Sequence, residues 1–232
     1  MNELSMNVFC KTLNPYLDYP FIEQERGIYH DVKNLLDDCR NPLQEHRHRE
    51  WEYCIALQII KKERIFSVLD VGGENSTFPF CCAYLGCDTT IVDPQNLGMQ
   101  IQSQNVRLPD KNCYVKYIQS DFLEFDIDKV YDMVSCISVL EHVHNDNIFF
   151  EKLLKYVKPR GILYTTFDYH QSGQKFYEDN QHLRTYNISR IKNLIGIGRE
   201  AGFEIYGECA DYTYQGNHVF DYNFASIVLQ KG

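Results

Sequence analysis

From Ile65 to Leu229 short apolar runs alternate with helical patterns, and this alternation limits the fold more than any other feature of the chain. Ile65–Asp70, Asp88–Val92, Asn112–Gln119, Tyr131–Ile137 and Ile162–Phe167 read as strands, and Thr77–Leu85, Ile148–Val157 and Ile188–Ala201 as helices. Strands that alternate with helices predict a parallel sheet covered on both faces, with right-handed crossovers that bring the strand ends to one side. Phe203–Cys209 and Phe224–Leu229 follow as two strands with no helix between them, which predicts an antiparallel hairpin at one sheet edge. The expected fold is therefore α/β: a Rossmann-like, seven-stranded, mostly parallel sheet with helices on both faces and a C-terminal antiparallel hairpin. Lys158-Pro159-Arg160-Gly161 reads as a stop ahead of the fifth strand.

Upstream, Trp51, Ile55 and Ile59 recur at helical spacing within a pattern running from Glu45 to Lys62. Pro15, Pro20 and Pro42 interrupt the region before it. Residues 1–45 are read as a cover segment and 46–232 as the main domain, because the alternating core does not need the former. Phe9, Tyr16, Tyr19, Phe21 and Tyr29 make that segment aromatic, which suits a lid or a homodimer contact.

Open sheets of this class bind ligands beyond the C-terminal ends of their strands, so the residues there carry the functional signal. They are acidic and glycine-bearing: Asp70-Val71-Gly72-Gly73, Asp93, Ser120-Asp121-Phe122, Ser138-Val139-Leu140-Glu141-His142 and Asp168-Tyr169-His170. Glycines let backbone approach a ligand without a Cβ in the way, and a helix that opens after them offers free N–H groups. A carboxylate at Asp93 can accept two ribose hydroxyls, and Asp121 beside Phe122 can take an exocyclic amine while the ring packs on a base. Together these describe an adenosine-shaped site. A dinucleotide fingerprint is excluded by spacing, since the turn runs G-G-E-N-S-T where G-x-G-x-x-G is required.

The segments VLDVGGENSTFPFCCAYLGCDTTIVDPQ, QSDFLEFDIDKVYDMVSCISVLEHV and LLKYVKPRGILYTTFDY, in this order, resemble class I S-adenosylmethionine-dependent methyltransferases of the small-molecule type. The likeness extends over about residues 65–230, and HLRTYNISRIKNLIGIGREAGFE resembles the segment that precedes the final hairpin in that family. It implies S-adenosyl-L-methionine as cofactor, with Asp70, Gly72 and Gly73 at its methionine end, Asp93 at the ribose, Asp121 and Phe122 at the adenine, and Ser138 in the stretch that passes the sulfonium. The turn departs from the family pattern of glycines at every second position, because Glu74 and Ser76 stand where the next two would fall.

Methyl transfer from a sulfonium is an in-line displacement, for which positioning supplies much of the acceleration and a base assists a hydroxyl acceptor. His142 is the expected base, with Asp168 and His170 on the same rim as its expected catalytic partners. His182, Arg184 and Tyr186 are expected at the acceptor, where Arg184 suits an anionic group. Arg47, Arg49, Trp51 and Tyr53 are candidates to close over the ligands, with Arg49 reaching the cofactor carboxylate. Asp-x-His is too short a pattern to assign a metal, and none is expected. The expected activity is methyl transfer to a small-molecule hydroxyl or amine, a sugar or sugar nucleotide being the first acceptor to consider. The rival reading is a degenerate member that binds cofactor weakly and serves as a partner protein.

Charge and cysteine usage narrow the setting. The formal charge of −9 repels a phosphate backbone, so no nucleic-acid partner is expected. The N-terminus lacks the apolar region of a signal peptide, and no apolar run is long enough to span a bilayer, so no membrane association is expected. Nine cysteines, odd in number and without a CxxC pair, read as reduced thiols within the core. These readings give a cytoplasmic localisation as the expectation.

Overall fold

The computed structural model describes residues 8–13, 22–37, 47–73, 76–95, 115–173, 184–210, 212 and 222–232. In chain order these form β1 (Val8–Cys10), α1 (Glu23–Asp37), α2 (Arg47–Glu63), β2 (Ser67–Val71), α3 (Phe78–Tyr84), β3 (Asp88–Asp93), β4 (Val115–Gln119) and β5 (Tyr131–Ile137). A 3₁₀ turn (Leu140–His142) leads to α4 (Asp146–Lys155), β6 (Val157–Tyr169), α5 (Ile188–Glu200), β7 (Phe203–Ile205), β8 (Glu208–Cys209) and β9 (Asn223–Lys231).

Seven strands make one sheet in the order β4-β3-β2-β5-β6-β9-β7. β2 pairs in parallel with β3 and β5, β3 with β4, and β5 with β6, while β9 runs antiparallel to both β6 and β7. The expected sheet is the observed one, and β9, not the outermost strand, is the one that reverses. Neighbouring residues of a strand point to opposite faces, and the two cores sort accordingly. Val68, Met133, Ile162, Tyr164 and Val228 face the side covered by α1, α2 and α3, whereas Leu69, Val134, Leu163, Phe167 and Leu229 face α4 and α5.

Several expectations shift in detail. The helix α4 ends at Lys155, just before the Lys158–Gly161 stretch read as its stop, and that stretch belongs to β6. Tyr131 pairs with Val157 and Met133 with Ile162, so the extra residues are absorbed as an irregularity at the start of β6. Arg160 takes a φ of +63° to do this, and Lys158 anchors the bulge through an ion pair to Asp132 at 2.9 Å. The strand read as Phe203–Cys209 divides. Its second part, β8, leaves the sheet to pair in parallel with β1.

The line drawn between residues 45 and 46 is not a break in packing. Phe9, Cys10, Ile22, Tyr29, Val32 and Leu36 share one core with Trp51, Ile55 and Ile59. Lys11 and Leu13 hydrogen-bond to Ser226 and Phe224 of β9. Because α1 covers its outer side, α2 is buried from Trp51 through Leu57 and not along a single stripe. Arg26 and His30 of α1 reach Glu50, and Lys61 reaches Glu25 at 2.7 Å. Among the described residues no helix is long and apolar enough to cross a membrane. The described cysteines are all free thiols, buried except Cys209.

Candidate active site

The turn after β2 is built as tightly as its two glycines imply. Gly72 adopts a φ of +73°, and a Cβ added there would lie 2.5 Å from Cγ2 of Val139 in the loop after β5. A Cβ on Gly73 would lie 2.2 Å from Oδ2 of Asp70. The Gly72 N–H donates to the carbonyl of Val92 at 2.8 Å, which ties the ends of β2 and β3 together. A side chain at Gly72 would therefore displace Val139, and one at Gly73 would displace the Asp70 carboxylate. Glu74 lies outside the described residues.

Asp70 is buried and accepts from Ser135 Oγ at 2.6 Å. Burial raises its carboxyl to about 7; the Ser135 hydroxyl works against that rise, and the neighbouring Asp93 adds to it. Asp93, at the end of β3, is also buried, and its Oδ1 accepts the N–H of Gln95 at 2.8 Å. Asp121 is exposed, with Oδ1 accepting the N–H of Leu123 at 2.8 Å.

Phe122 departs from expectation. Its ring is 3% exposed and packs on Phe149, Tyr156 and Phe125 with centroids 4.8–6.1 Å apart. Lys152 covers it at 5.6 Å. The ring is a core residue on the α4 side of the sheet, so an adenine would meet Asp121 and backbone at this point, not the Phe122 face.

Below the ends of β5 and β6 lies a buried polar cluster centred on Glu52, a residue whose role was not read from the sequence. Glu52 is fully buried, and its Oε1 accepts from Ser138 Oγ and Thr166 Oγ1, each at 2.6 Å. Its Oε2 pairs with Arg49 at 3.3 Å, and its backbone carbonyl accepts from Tyr164 at 2.7 Å. Ser138 sits at a φ of +50°, with its N–H donating to the carbonyl and the hydroxyl of Thr166 at 3.1 Å. The Ser138 hydroxyl is thus committed to Glu52 and holds the strained turn where β5 ends.

Glu141 and Asp168 complete the cluster, at 1% and 3% exposure. Burial raises the Glu141 carboxyl to about 8; backbone hydrogen bonding and Arg49 oppose the rise, and Glu52 adds to it. Burial, Glu141 and Glu52 likewise push Asp168 well above the ordinary carboxylate range, against Arg49. Oε2 of Glu141 has no hydrogen-bond partner among the described residues. One guanidinium faces three carboxyl groups here, and burial with mutual repulsion holds Glu141 and Asp168 toward their protonated forms. Among the described residues no group of three or more His, Cys, Asp or Glu is arranged to hold a metal ion.

His142 is exposed at the end of the 3₁₀ turn, held through its N–H to the carbonyl of Val139 at 2.9 Å. His170, half-buried, donates its N–H to the carbonyl of Tyr186, and its Nδ1 meets Ser172 Oγ at 2.7 Å. The expected trio is therefore divided, with Asp168 in the buried cluster and the two histidines nearer solvent.

Arg184 and Tyr186, expected at the acceptor, both close on Asp146, the first residue of α4. Tyr186 is fully buried and donates to Asp146 Oδ2 at 2.7 Å. Arg184 pairs with Asp146 Oδ1 at 3.1 Å and donates to the carbonyl of His144. Arg190 of α5 adds a two-pronged contact to the same carboxylate, through Nε at 2.7 Å and through Nη2. Burial pushes the Asp146 carboxyl up, but the hydrogen bonds from Arg190 and Tyr186 and both guanidiniums outweigh it and hold the group below its ordinary value. His182 lies outside the described residues.

Of the residues missed, Glu52 had one legible signal. A glutamate adjoins Trp51 in a helix whose neighbours Cys54, Ile55 and Ala56 are apolar, and a charge inside such a pattern needs partners.

Residues 30–207 match the family described as a methyltransferase domain, well over half of the chain. A ubiquinone biosynthesis O-methyltransferase of Rickettsia akari is 35% identical over 95 residues, which is 41% of this chain and 37% of that protein. The chain thus spans under two fifths of the length of this curated relative. None of the relatives named here carries a sugar acceptor in its name, so the sugar expectation finds no support among them. Among solved structures, N-methyltransferase NodS of Bradyrhizobium japonicum in complex with S-adenosyl-L-homocysteine superposes with a TM-score of 0.58 at 13% identity, covering 88% of this chain and 98% of that one. The 1,6-didemethyltoxoflavin-N1-methyltransferase of Burkholderia thailandensis gives 0.57 at 16% identity, covering 97% and 93%. Those two likenesses speak to the fold alone. The family match, on the fold and strand-end geometry above, places the chain in the methyltransferase-domain family.

Proposed function

We propose that this protein transfers a methyl group from S-adenosylmethionine to a hydroxyl or amine of a small molecule. The observation that carries the reading is the alignment of strand ends. Asp70 with Gly72 and Gly73, Asp93, Asp121 and the 138–142 stretch follow β2, β3, β4 and β5, which are paired in parallel with their ends on one side. The unpartnered Oε2 of Glu141, with the carboxyls of Asp93 and Asp121 at neighbouring strand ends, fits a ligand with a cationic centre and an adenosine end.

When bound, S-adenosylmethionine supplies an electrophilic methyl on a sulfonium. In this reading Gly72 and Gly73 bring backbone to its methionine end, Asp93 accepts the ribose hydroxyls and Asp121 receives the adenine amine. A cation bound at the ends of β5 and β6 would draw the carboxyls of Glu141 and Asp168 toward their ionised forms beside Glu52, which favours a sulfonium over a neutral thioether there. His142 takes the proton of a hydroxyl acceptor, its exposure keeping the imidazole able to pass that proton to water. His170 holds the acceptor side of the site through its contact with Ser172. Residues 1–45, whose described parts pack on α2 and β9, serve as a cover.

The small-molecule reading is supported by the relatives, a quinone O-methyltransferase and a toxoflavin-precursor N-methyltransferase among them. Calorimetric titration with S-adenosylmethionine and S-adenosylhomocysteine tests the proposal. Micromolar binding by the wild type that weakens by about a hundredfold in Asp93→Ala supports it, since two charge-assisted hydrogen bonds are removed. Absence of binding to the wild type refutes it and leaves a partner protein without cofactor.

A further inference from the structure

A groove of about 350 Å³ opens between the first turns of α4 and α5, lined by Asn147, Ser172, Thr185, Asn187, Ser189 and Arg190 among others. Among the described residues Arg190 is the one charged residue lining it, and no carboxylate among them does. Behind it Arg184 shares with Arg190 the single carboxylate of Asp146, so the three groups together carry one net positive charge. In a chain of net charge −9 such a locally positive spot favours an anion.

The donors are arranged to match. Asn187 caps α5 by accepting the N–H of Arg190 at 3.0 Å, and Asn145 caps α4 by accepting that of Ile148 at 3.2 Å. Helix geometry leaves the N–H groups of Ile188 and Ser189, and of Asp146 and Asn147, without intrahelical acceptors. Helices of 13 and 10 residues thus present their positive ends to one space. Asn193 Nδ2 donates to Asn147 Oδ1 at 3.1 Å and braces the two helices across it.

Thr185 supplies the independent sign of a ligand. It lines the groove, is 1% exposed, and its hydroxyl has no hydrogen-bond partner among the described residues. A buried hydroxyl without a partner is costly, and an oxygen of a bound anion would accept from it. Ser172, on the opposite side, touches Nδ1 of His170.

From this convergence we infer that the groove is an oxyanion subsite, which takes a phosphate or carboxylate group carried by the methyl acceptor and sets that group beside His170. The inference rests on the methyltransferase reading for the acceptor's identity as substrate, but not for the anion site itself. It defines the acceptor class as a hydroxyl- or amine-bearing small molecule with an anionic arm.

The test is titration of the S-adenosylhomocysteine-loaded protein with inorganic phosphate and, separately, acetate, followed by calorimetry and by NMR of the histidine rings. Saturable binding with a shift of the His170 ring signals is expected, and the anion that binds more tightly identifies the arm. Thr185→Val, which keeps the shape and removes the hydroxyl, should weaken that binding by about tenfold. Ser189→Asp places a negative charge at the second residue of α5, where it favours the helix, so the fold is retained while anion affinity falls by about tenfold or more. S-adenosylhomocysteine affinity should be equal in all three proteins. No saturable binding, an adventitious ion bound equally by wild type and both variants, or binding that leaves His170 unmoved would each overturn the inference. Loss of S-adenosylhomocysteine binding by the wild type would instead strike the methyltransferase reading.

Discussion

Two buried charge clusters flank the C-terminal ends of β5 and β6, and their balances are opposite. In one, Glu52, Glu141 and Asp168 share Arg49. In the other, Arg184 and Arg190 share Asp146. The carboxyls of both are buried, Asp146 less deeply than Glu141 and Asp168, and burial alone would raise each of them. It does so for Glu141, at about 8, and for Asp168, yet Asp146 is held below the ordinary range. The comparison teaches that the ratio of guanidinium to carboxylate, together with depth, decides ionisation here. It also divides labour across the site. The acidic cluster would gain charge only beside a cation, as the proposed cofactor supplies, and the basic one braces the two helix N-termini of the proposed anion subsite.

Breaking the basic cluster should have the largest effect. Asp146→Ala leaves two guanidiniums and the Tyr186 hydroxyl without their acceptor, and should cost about 3–5 kcal/mol in urea unfolding. A loss under about 1 kcal/mol would mean that the arginines find water instead and that the cluster does not brace α4 to α5.

Glu52→Ala should come next. It strands the Ser138 and Thr166 hydroxyls and releases the turn at the end of β5, with an expected cost of about 1–3 kcal/mol. Cofactor affinity should drop as well, because Ser138 begins the stretch expected to pass the sulfonium. A stability loss with unchanged affinity would detach Glu52 from the site.

The smallest effect sharpens the comparison by pH. Glu141 is held at about 8 against an ordinary 4.5, so the folded chain binds that proton more tightly than the unfolded chain and loses stability as pH rises between those values. Glu141 also faces Arg49, Glu52, Asp168, Cys136 and Tyr186, so it does not titrate alone. Glu141→Gln should remove part of that alkaline decline, the remainder belonging to Asp70 and Asp168. Asp146 works in the opposite sense: its stabilisation is present above its unfolded value and is lost as pH falls through its folded one. Unfolding midpoints at about pH 6 and about pH 9 for wild type and Glu141→Gln check this, and equal slopes would refute the assignment.

The sequence by itself determined the sheet and the order of its functional rim. Short apolar runs at Asp70, Asp93 and Ile137 could be read as strands because a strand buried on both faces needs no polar alternation and turn or acidic residues bound each run. The two glycines of the β2 turn were legible for the same local reason, since a positive φ at Gly72 leaves a mark at its own position. What only the tertiary structure decided was which polar side chains remain available to a ligand. Phe122, Ser138, Arg184 and Tyr186 carry suitable chemistry in sequence, but their partners lie at Phe149, Glu52 and Asp146, tens of residues away. Hydrogen bonds and charge balance are set by distance in space, and a buried polar group is committed by whatever the fold brings within about 3 Å of it. Local pattern places a residue on the rim; long-range packing settles whether its side chain is free to act there.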